Sequence, residues 1–239
     1  MAKNVMVTGT GRHYALGFNL ALRYLENGDN VIATVRKESD QILALKEKYS
    51  ETLTIVTMDI GDSESVNKAF EEVARKFDRI DLLINNAVTT SPDVEKDFFN
   101  FNLDYVAKVV DVTAVGPLRV IQKFFPLLEN TDDMSLIINI SSEAGSISKC
   151  YRNFYVDYGM AKAALNMGTM TIWNNIKDND KVNIFAIHPG WIRTNGRDDN
   201  PAPLSSYDAA EILRNLFEER RYDKTGHRFI TNEGVDYPF

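Results

Sequence analysis

Short runs of β-branched and aliphatic residues recur along this chain, each followed by a stretch with helical spacing. That alternation limits most tightly what the chain can fold into. The runs are Asn4–Thr8, Asn30–Val35, Leu53–Asp59, Ile80–Asn85, Ser135–Ser141, Val182–His188 and a weaker Arg228–Thr231. Segments such as VIATV and LIINI are continuously apolar rather than alternating, which suits strands covered on both faces. Between them, Ala15–Asn27 reads as a helix stopped by Gly28. Asp62 or Ser63 caps another, along which Val66, Ala69, Phe70, Val73, Ala74 and Phe77 share a face. Leu118–Leu128 and Tyr158–Ile176 are further helices. Repeated strand–helix units predict an α/β architecture: a doubly wound parallel sheet of about seven strands with helices on both faces. The 239 residues form one domain in this reading, spanning 1–239.

Composition removes several function classes. The net charge is −7 and no basic block stands out beyond the mixed run Glu218-Glu219-Arg220-Arg221, which argues against a nucleic-acid partner. Cys150 is the only cysteine, and with three scattered histidines it makes neither a disulfide nor a metal-ligand set. No apolar run is long enough to span a bilayer, and MAKNVMVTG enters a strand directly with no leader pattern, so a cytoplasmic location is expected. The connection Thr89–Tyr105, polar and then rich in Phe98, Phe99, Phe101 and Tyr105, reads first as a helix start packing its aromatics and second as a partner or substrate surface.

The first candidate site is TGTGRHYALG, residues 8–17. It follows the first strand and enters a helix, whose N-terminus offers free N–H groups and a positive dipole end to a phosphate. In a doubly wound sheet, ligands sit at the carboxyl ends of the strands. Arg36, just after the second strand, lies where an adenosine ribose would fall and suits a 2′-phosphate, with Arg12 able to assist. Asp59, after the third strand, is placed to accept a bond from an adenine amino group. Together these favour NADP(H) over NAD(H), while each also has a plain reading as a solvated charge.

The second candidate is Tyr158-Gly-Met-Ala-Lys162, whose four-residue spacing puts phenol and amine on one helical face. A tyrosine pKa near 10 is too high for easy proton exchange at neutrality, and a neighbouring ammonium favours the phenolate. Ser141 and Ser142 end the fifth strand just upstream, where a hydroxyl can hold a substrate carbonyl oxygen.

On Thr8-Gly9 with Gly17, Asp59, Asn85-Asn86-Ala87, Ser141-Ser142, Tyr158-x-x-x-Lys162 and Pro189-Gly190-Trp191-Ile192-Arg193-Thr194, in that order, the chain resembles the short-chain dehydrogenase/reductase superfamily over nearly its whole length. The resemblance implies that Tyr158 is the general acid in carbonyl reduction and the base in reverse. It implies that Lys162 lowers the tyrosine's pKa and binds the nicotinamide ribose, and that Ser142 orients the substrate oxygen. It assigns Gly9, Gly11, Arg12, Tyr14 and Leu16 to the cofactor at the first loop, and Arg36, Asp59 and Ile60 to its adenosine end. Asn86 and Ala87 line it at the fourth strand, and Pro189, Gly190, Ile192 and Thr194 hold the nicotinamide end. The implied partner is a small carbonyl or alcohol, in a homodimer or homotetramer paired through Gly116–Leu128 and Tyr158–Ile176.

The sequence departs from the family pattern at four places. His13 and Ala15 stand where glycines are usual, Val88 follows Asn85-Asn86-Ala87 in place of a glycine, and Thr113 takes the position of a helix-borne Asn that usually completes a proton relay. The stretch Asn195–Ser206, a substrate lid in relatives, is short, with Trp191, Tyr151 and Phe154 as candidate apolar walls. His188 reads as structural. The leading expectation is an NADPH-dependent reductase of a ketone or aldehyde. The alternatives are a cofactor-sensing or partner-binding protein on the same fold, and an epimerase or dehydratase using the same Tyr–Lys pair.

Overall fold

A computed structural model of the chain describes residues 2–194, 196 and 199–239. In chain order its elements are β1 (Asn4–Thr8), α1 (Leu16–Glu26), β2 (Asn30–Val35), α2 (Asp40–Lys48), β3 (Leu53–Thr57), α3 (Ser63–Ala74), β4 (Leu82–Asn85), α4 (Val106–Val110), α5 (Gly116–Glu129), β5 (Ser135–Ile140), α6 (Val156–Ile176), β6 (Val182–His188), β7 (Ile192–Arg193), β8 (Leu204–Ser205), α7 (Ser206–Arg220) and β9 (Phe229–Thr231). Seven strands form one sheet in the order β3-β2-β1-β4-β5-β6-β9, and every pair in it is parallel. This is the doubly wound arrangement expected. β7 and β8 pair separately, Ile192 with Leu204 and Arg193 with Ser205.

Two cores follow from the pleat. Val5, Val7, Val31 and Ala33 face one side with Leu20, Ala21 and Tyr24 of α1, Ile42 of α2 and Leu213 and Phe217 of α7. Met6 and Ile32 face the other, with Val66 and Val73 of α3, Phe124 of α5 and Ile176 of α6. Adjacent strand residues thus serve opposite cores, which explains why the strands read as unbroken apolar runs.

Some boundaries move. β3 ends at Thr57 rather than Asp59, because the Asp59 carboxylate turns back to accept the Gly61 N–H at 2.9 Å. β4 starts at Leu82, β5 stops at Ile140, and β9 starts at Phe229. Three helices escaped the periodicity reading, the five-residue α4 among them. α2 buries only Ile42 and Leu45, too few for a clear stripe. α7 had a legible signal: Ser205 caps it, accepting from the Asp208 N–H, and Ala209, Ala210, Leu213, Leu216 and Phe217 line its buried face. The Thr89–Tyr105 expectation is also corrected. Phe101 is buried, but Phe98 and Phe99 are exposed. The Asp97 carboxylate accepts the Phe99 N–H and Asp93 accepts that of Asn102, so local carboxylate turns replace the expected helix start. A 3₁₀ turn at Leu103–Tyr105 then leads into α4. Between α4 and α5 the helix continues through a π-helical turn at Asp111–Val115.

Candidate active site

The expected site residues converge on the carboxyl edge of the sheet. Gly9 to Leu16 follow β1, Arg36 follows β2, Asp59 and Ile60 follow β3, Asn86 and Ala87 follow β4, and Ser142 follows β5. Pro189 and Gly190 follow β6, with Ile192 in β7 and Thr194 just beyond. β1 and β4 are the neighbours at which the winding reverses, the position where such sheets take ligands.

The first loop is tied to β4 by one threonine and one asparagine. Thr8 Oγ1 accepts the backbone N–H of Asn86 and of Ala87, each at 3.0 Å. Asn86 Nδ2 donates to the carbonyls of Thr8 and Gly9 at 3.0 and 3.2 Å. Gly9 has φ 76°, and a Cβ there would lie 2.7 Å from Ala87 Cα. A Cβ on Gly17 would run into Asn86 Nδ2. These two glycines are therefore required by packing. Gly11 is different, since a Cβ there would meet only ordinary contacts at 3.7 Å, so the backbone beside it stays open.

Helix α1 begins without a side-chain cap and with no acidic residue in its first turn. In contrast, Ser39, Asp62 and Ser205 cap α2, α3 and α7. Its first N–H groups remain available to an anion. Arg12 and Arg36 are exposed, and neither is in an ion pair among the described residues. His13 is exposed too, edge-on to Tyr14 with ring centroids 5.3 Å apart. The Tyr14 carbonyl accepts Ser206 Oγ at 2.7 Å, and its ring packs on Gly196. Leu16 and Ile60 are buried, while Thr194 is exposed. Gly190 has φ 87° and sits against Asn232. Val88 is exposed at the end of β4. Of the lid stretch, Asn195, Arg197 and Asp198 lie outside the described residues.

Ser142, Tyr158 and Lys162 come together. The Ser142 hydroxyl lies near enough to favour the Tyr158 phenolate, and Tyr158 itself is half-buried. Lys162 Nζ lies 5.5 Å from the Tyr158 ring centroid and donates to the Ile140 carbonyl at 2.5 Å. The expected lowering of the tyrosine pKa is not what the protein alone provides. Burial pushes Tyr158 up to about 12, and the Ser142 bond only partly opposes it. Burial also pulls Lys162 down to about 7 from an ordinary 10.5, so the amine loses its charge near neutrality instead of reliably imposing it on the phenol.

Further residues, most of them not singled out by the sequence reading, hold this trio in place. A Cβ on Gly145 would lie 2.7 Å from the Lys162 carbonyl carbon, so glycine lets the Glu143–Gly145 turn press against α6. Ser141 Oγ donates to Asn166 Oδ1 at 2.6 Å. Asn85 Nδ2 donates to Asn139 Oδ1 and Asn139 Nδ2 to Thr169 Oγ1, both at 2.9 Å, locking β4, β5 and α6. Tyr155, the residue before α6, has φ 64°, the one non-glycine in the left-handed region among the described residues. Such backbone strain concentrates at functional sites. Thr113 is buried in the π-helical turn, and its hydroxyl is held by Thr89: Oγ1 donates to the Thr89 carbonyl at 3.0 Å and accepts the Thr89 N–H at 3.2 Å.

Ser142 Oγ donates to Glu143 Oε2 at 2.6 Å, and Arg152 closes an ion pair on the same carboxylate. His188 Nδ1 accepts the Glu143 N–H at 3.3 Å and lies 3.5 Å from Oε2. Burial lowers the His188 pKa, so the ring stands neutral beside the carboxylate at pH 7.

Comparison with known proteins agrees with this geometry. The short chain dehydrogenase family matches residues 3–203. Short-chain dehydrogenase RED3 of Pyricularia oryzae is 29% identical over 255 residues, covering 100% of both chains. An NADPH-bound carbonyl reductase from chicken fatty liver superposes with a TM-score of 0.85 at 25% identity, over 100% of this chain and 94% of that one. A carbonyl reductase of Pseudomonas aeruginosa in complex with NADP gives a TM-score of 0.85 at 26% identity over 100% of both chains. With the family matched across most of its length and the sheet wound as that family winds it, this chain belongs to the short-chain dehydrogenases and is an oxidoreductase of that family.

Proposed function

We propose that the protein is an NADPH-dependent reductase of ketones or aldehydes, reversible as an alcohol dehydrogenase. The observation that carries the reading is the convergence of Ser142, Tyr158 and Lys162 beside the uncapped start of α1. The residues fit a dinucleotide: the α1 N-terminus suits a diphosphate, the open backbone at Gly11 admits it, and the exposed Arg36 suits a 2′-phosphate. When bound, the cofactor supplies the hydride. The chain supplies position and a proton. Tyr158 gives its phenolic proton to the developing alkoxide, and Ser142 fixes the carbonyl oxygen beside it. Lys162, anchored on the Ile140 carbonyl, would hold the nicotinamide ribose. Tyr151 and Trp191 are exposed near the site and Phe154 is half-buried, so an aromatic carbonyl such as benzil is a suitable first substrate.

Fluorescence titration with NADPH and NADH in parallel tests the cofactor, and consumption of NADPH with benzil tests the reaction. Tighter binding of NADPH, and turnover that Tyr158→Phe abolishes, would support the proposal. Failure of both nucleotides to bind near a millimolar would favour a partner-binding role for the fold. Tight cofactor retention without net turnover would favour the epimerase or dehydratase reading.

A further inference from the structure

Asp157 stands directly before Tyr158 and is fully buried, at 0% exposure. No ion pair includes it among the described residues. A buried carboxylate without a counter-ion is costly unless hydrogen bonds hold it. Two backbone groups do so. Oδ1 accepts the Tyr158 N–H at 2.8 Å, and Oδ2 accepts the Ser91 N–H at 2.9 Å. The first donor belongs to the opening turn of α6, where N–H groups lack partners within the helix. The second comes from the connection that follows β4 and carries Asn86 and Ala87. A second tie lies beside the first: the Val94 carbonyl accepts the Tyr155 N–H at 2.9 Å. Tyr155 makes that bond from its left-handed φ of 64°, and its ring meets the Tyr158 ring edge-on with centroids 5.8 Å apart. The connection after β4 is thus clasped to α6 at Tyr155 and Asp157, immediately ahead of Tyr158.

We propose that Asp157 is a positioning residue for Tyr158: its carboxylate fixes the start of α6 against the wall of the site that follows β4. The role in turnover rests on the reductase reading, whereas the clasp is a property of the fold. Being fully buried, Asp157 offers no atom to a substrate, and no proton moves in this role. It acts through the backbone. The phenol rides on α6, while Asn86 and Ala87 follow β4, and the two elements are far apart in the chain. A bond that joins both backbones at Tyr158 sets the distance between them. That distance matters, because a misplacement of about 1 Å at reacting groups can cost roughly a hundred-fold in rate. The chemistry of the residue fits the task. Both partners are N–H donors, so both side-chain oxygens must accept, and an ionised carboxylate does so. Asparagine has the same shape but one oxygen, and its amide would turn N–H towards one of the two donors. Serine has one oxygen on a shorter stem and cannot reach both.

Hydrogen exchange reads the clasp, and kinetics reads its purpose. In Asp157→Asn the amides of residues 89–94 should exchange at least about ten-fold faster than in wild type, while those of β5 and β6 stay as slow. Asp157→Ser should do the same and serves where the asparagine variant folds poorly. Unchanged exchange at 89–94 in a folded Asp157 variant overturns the clasp. In benzil reduction, Asp157→Asn should lose about ten- to a hundred-fold in kcat with KM little changed. With NADPH deuterated at the transferred hydrogen, the isotope effect on kcat should rise as the hydride step becomes limiting. An unchanged kcat overturns the positioning role. So does a kcat that falls with the melting temperature while the isotope effect stays as in wild type, because that loss reports unfolded protein. If wild type does not reduce benzil while residues 89–94 still follow Asp157, the reductase reading fails and the clasp stands.

Discussion

The buried hydroxyl of Thr113 donates to and accepts from one neighbour, Thr89. Thr113→Val keeps the shape but leaves the Thr89 N–H and carbonyl unpaired, and should cost about 1–3 kcal/mol in urea unfolding. Lys162 gives a pH signature of its own. Its pKa in the fold is about 7 against an ordinary 10.5. Between those values the unfolded chain holds a proton that the folded chain has released, so raising the pH through this window favours the fold. Tyr158 acts oppositely above pH 10, where the folded chain keeps its proton up to about pH 12. Lys162→Met should therefore be more stable than wild type near pH 7, with the advantage fading towards pH 10. An advantage that does not change with pH would show that Lys162 is not desolvated as described. Arg36 is tested by affinity: Arg36→Ala should weaken NADPH about ten- to a hundred-fold, the worth of a charge-assisted bond, and leave NADH nearly unchanged.

At the level of elements, the β1–α1 loop separates glycines that pack from one that leaves room. Gly9→Ala places a side chain at φ 76° and against Ala87, and should destabilise the protein by about 2 kcal/mol or more. Gly11→Ala meets no close contact, so it should fold normally and lose nucleotide affinity instead. Calorimetry with a parallel NADPH titration separates the two outcomes. The elements themselves show what the sequence could reveal. Strands buried on both faces, such as β1, β2 and β6, were readable because most of their positions are apolar. The Tyr158–Lys162 pair was readable because helical spacing is rigid. What was hidden depends on contacts distant in sequence. The Glu143 cluster gathers the end of β5, the loop before α6 and the end of β6, and nothing local to Glu143 announces Arg152 or His188. The Phe98–Phe99 segment misled for a related reason: aromatic content implies burial, but local carboxylate bonds set the backbone there.

Across the whole molecule, Met160 and Met167 remain exposed on α6, as does Val115 just before α5. Apolar side chains left exposed on neighbouring helices favour a covering partner. The protein should therefore run as a dimer or tetramer of its 27.1 kDa chain in light scattering, and Met167→Glu should lower that mass; a wild-type monomer would reject the pairing. The π-helical turn at Asp111–Val115 has a separate consequence, for heredity rather than chemistry. A π turn holds an extra residue within an otherwise α-helical run. Deleting one residue there would let the run close as a continuous α-helix with α5 nearly unrotated against α4, because the wider turn takes up its extra residue locally. Phe124 and Val120 would keep their places in the core, while the Thr113 hydroxyl would lose its hold on Thr89. A single lost codon in this stretch would thus spare the fold and alter only the wall beside Thr89, and lineages of this chain should differ by one residue between Val110 and Gly116 more readily than elsewhere in the helix.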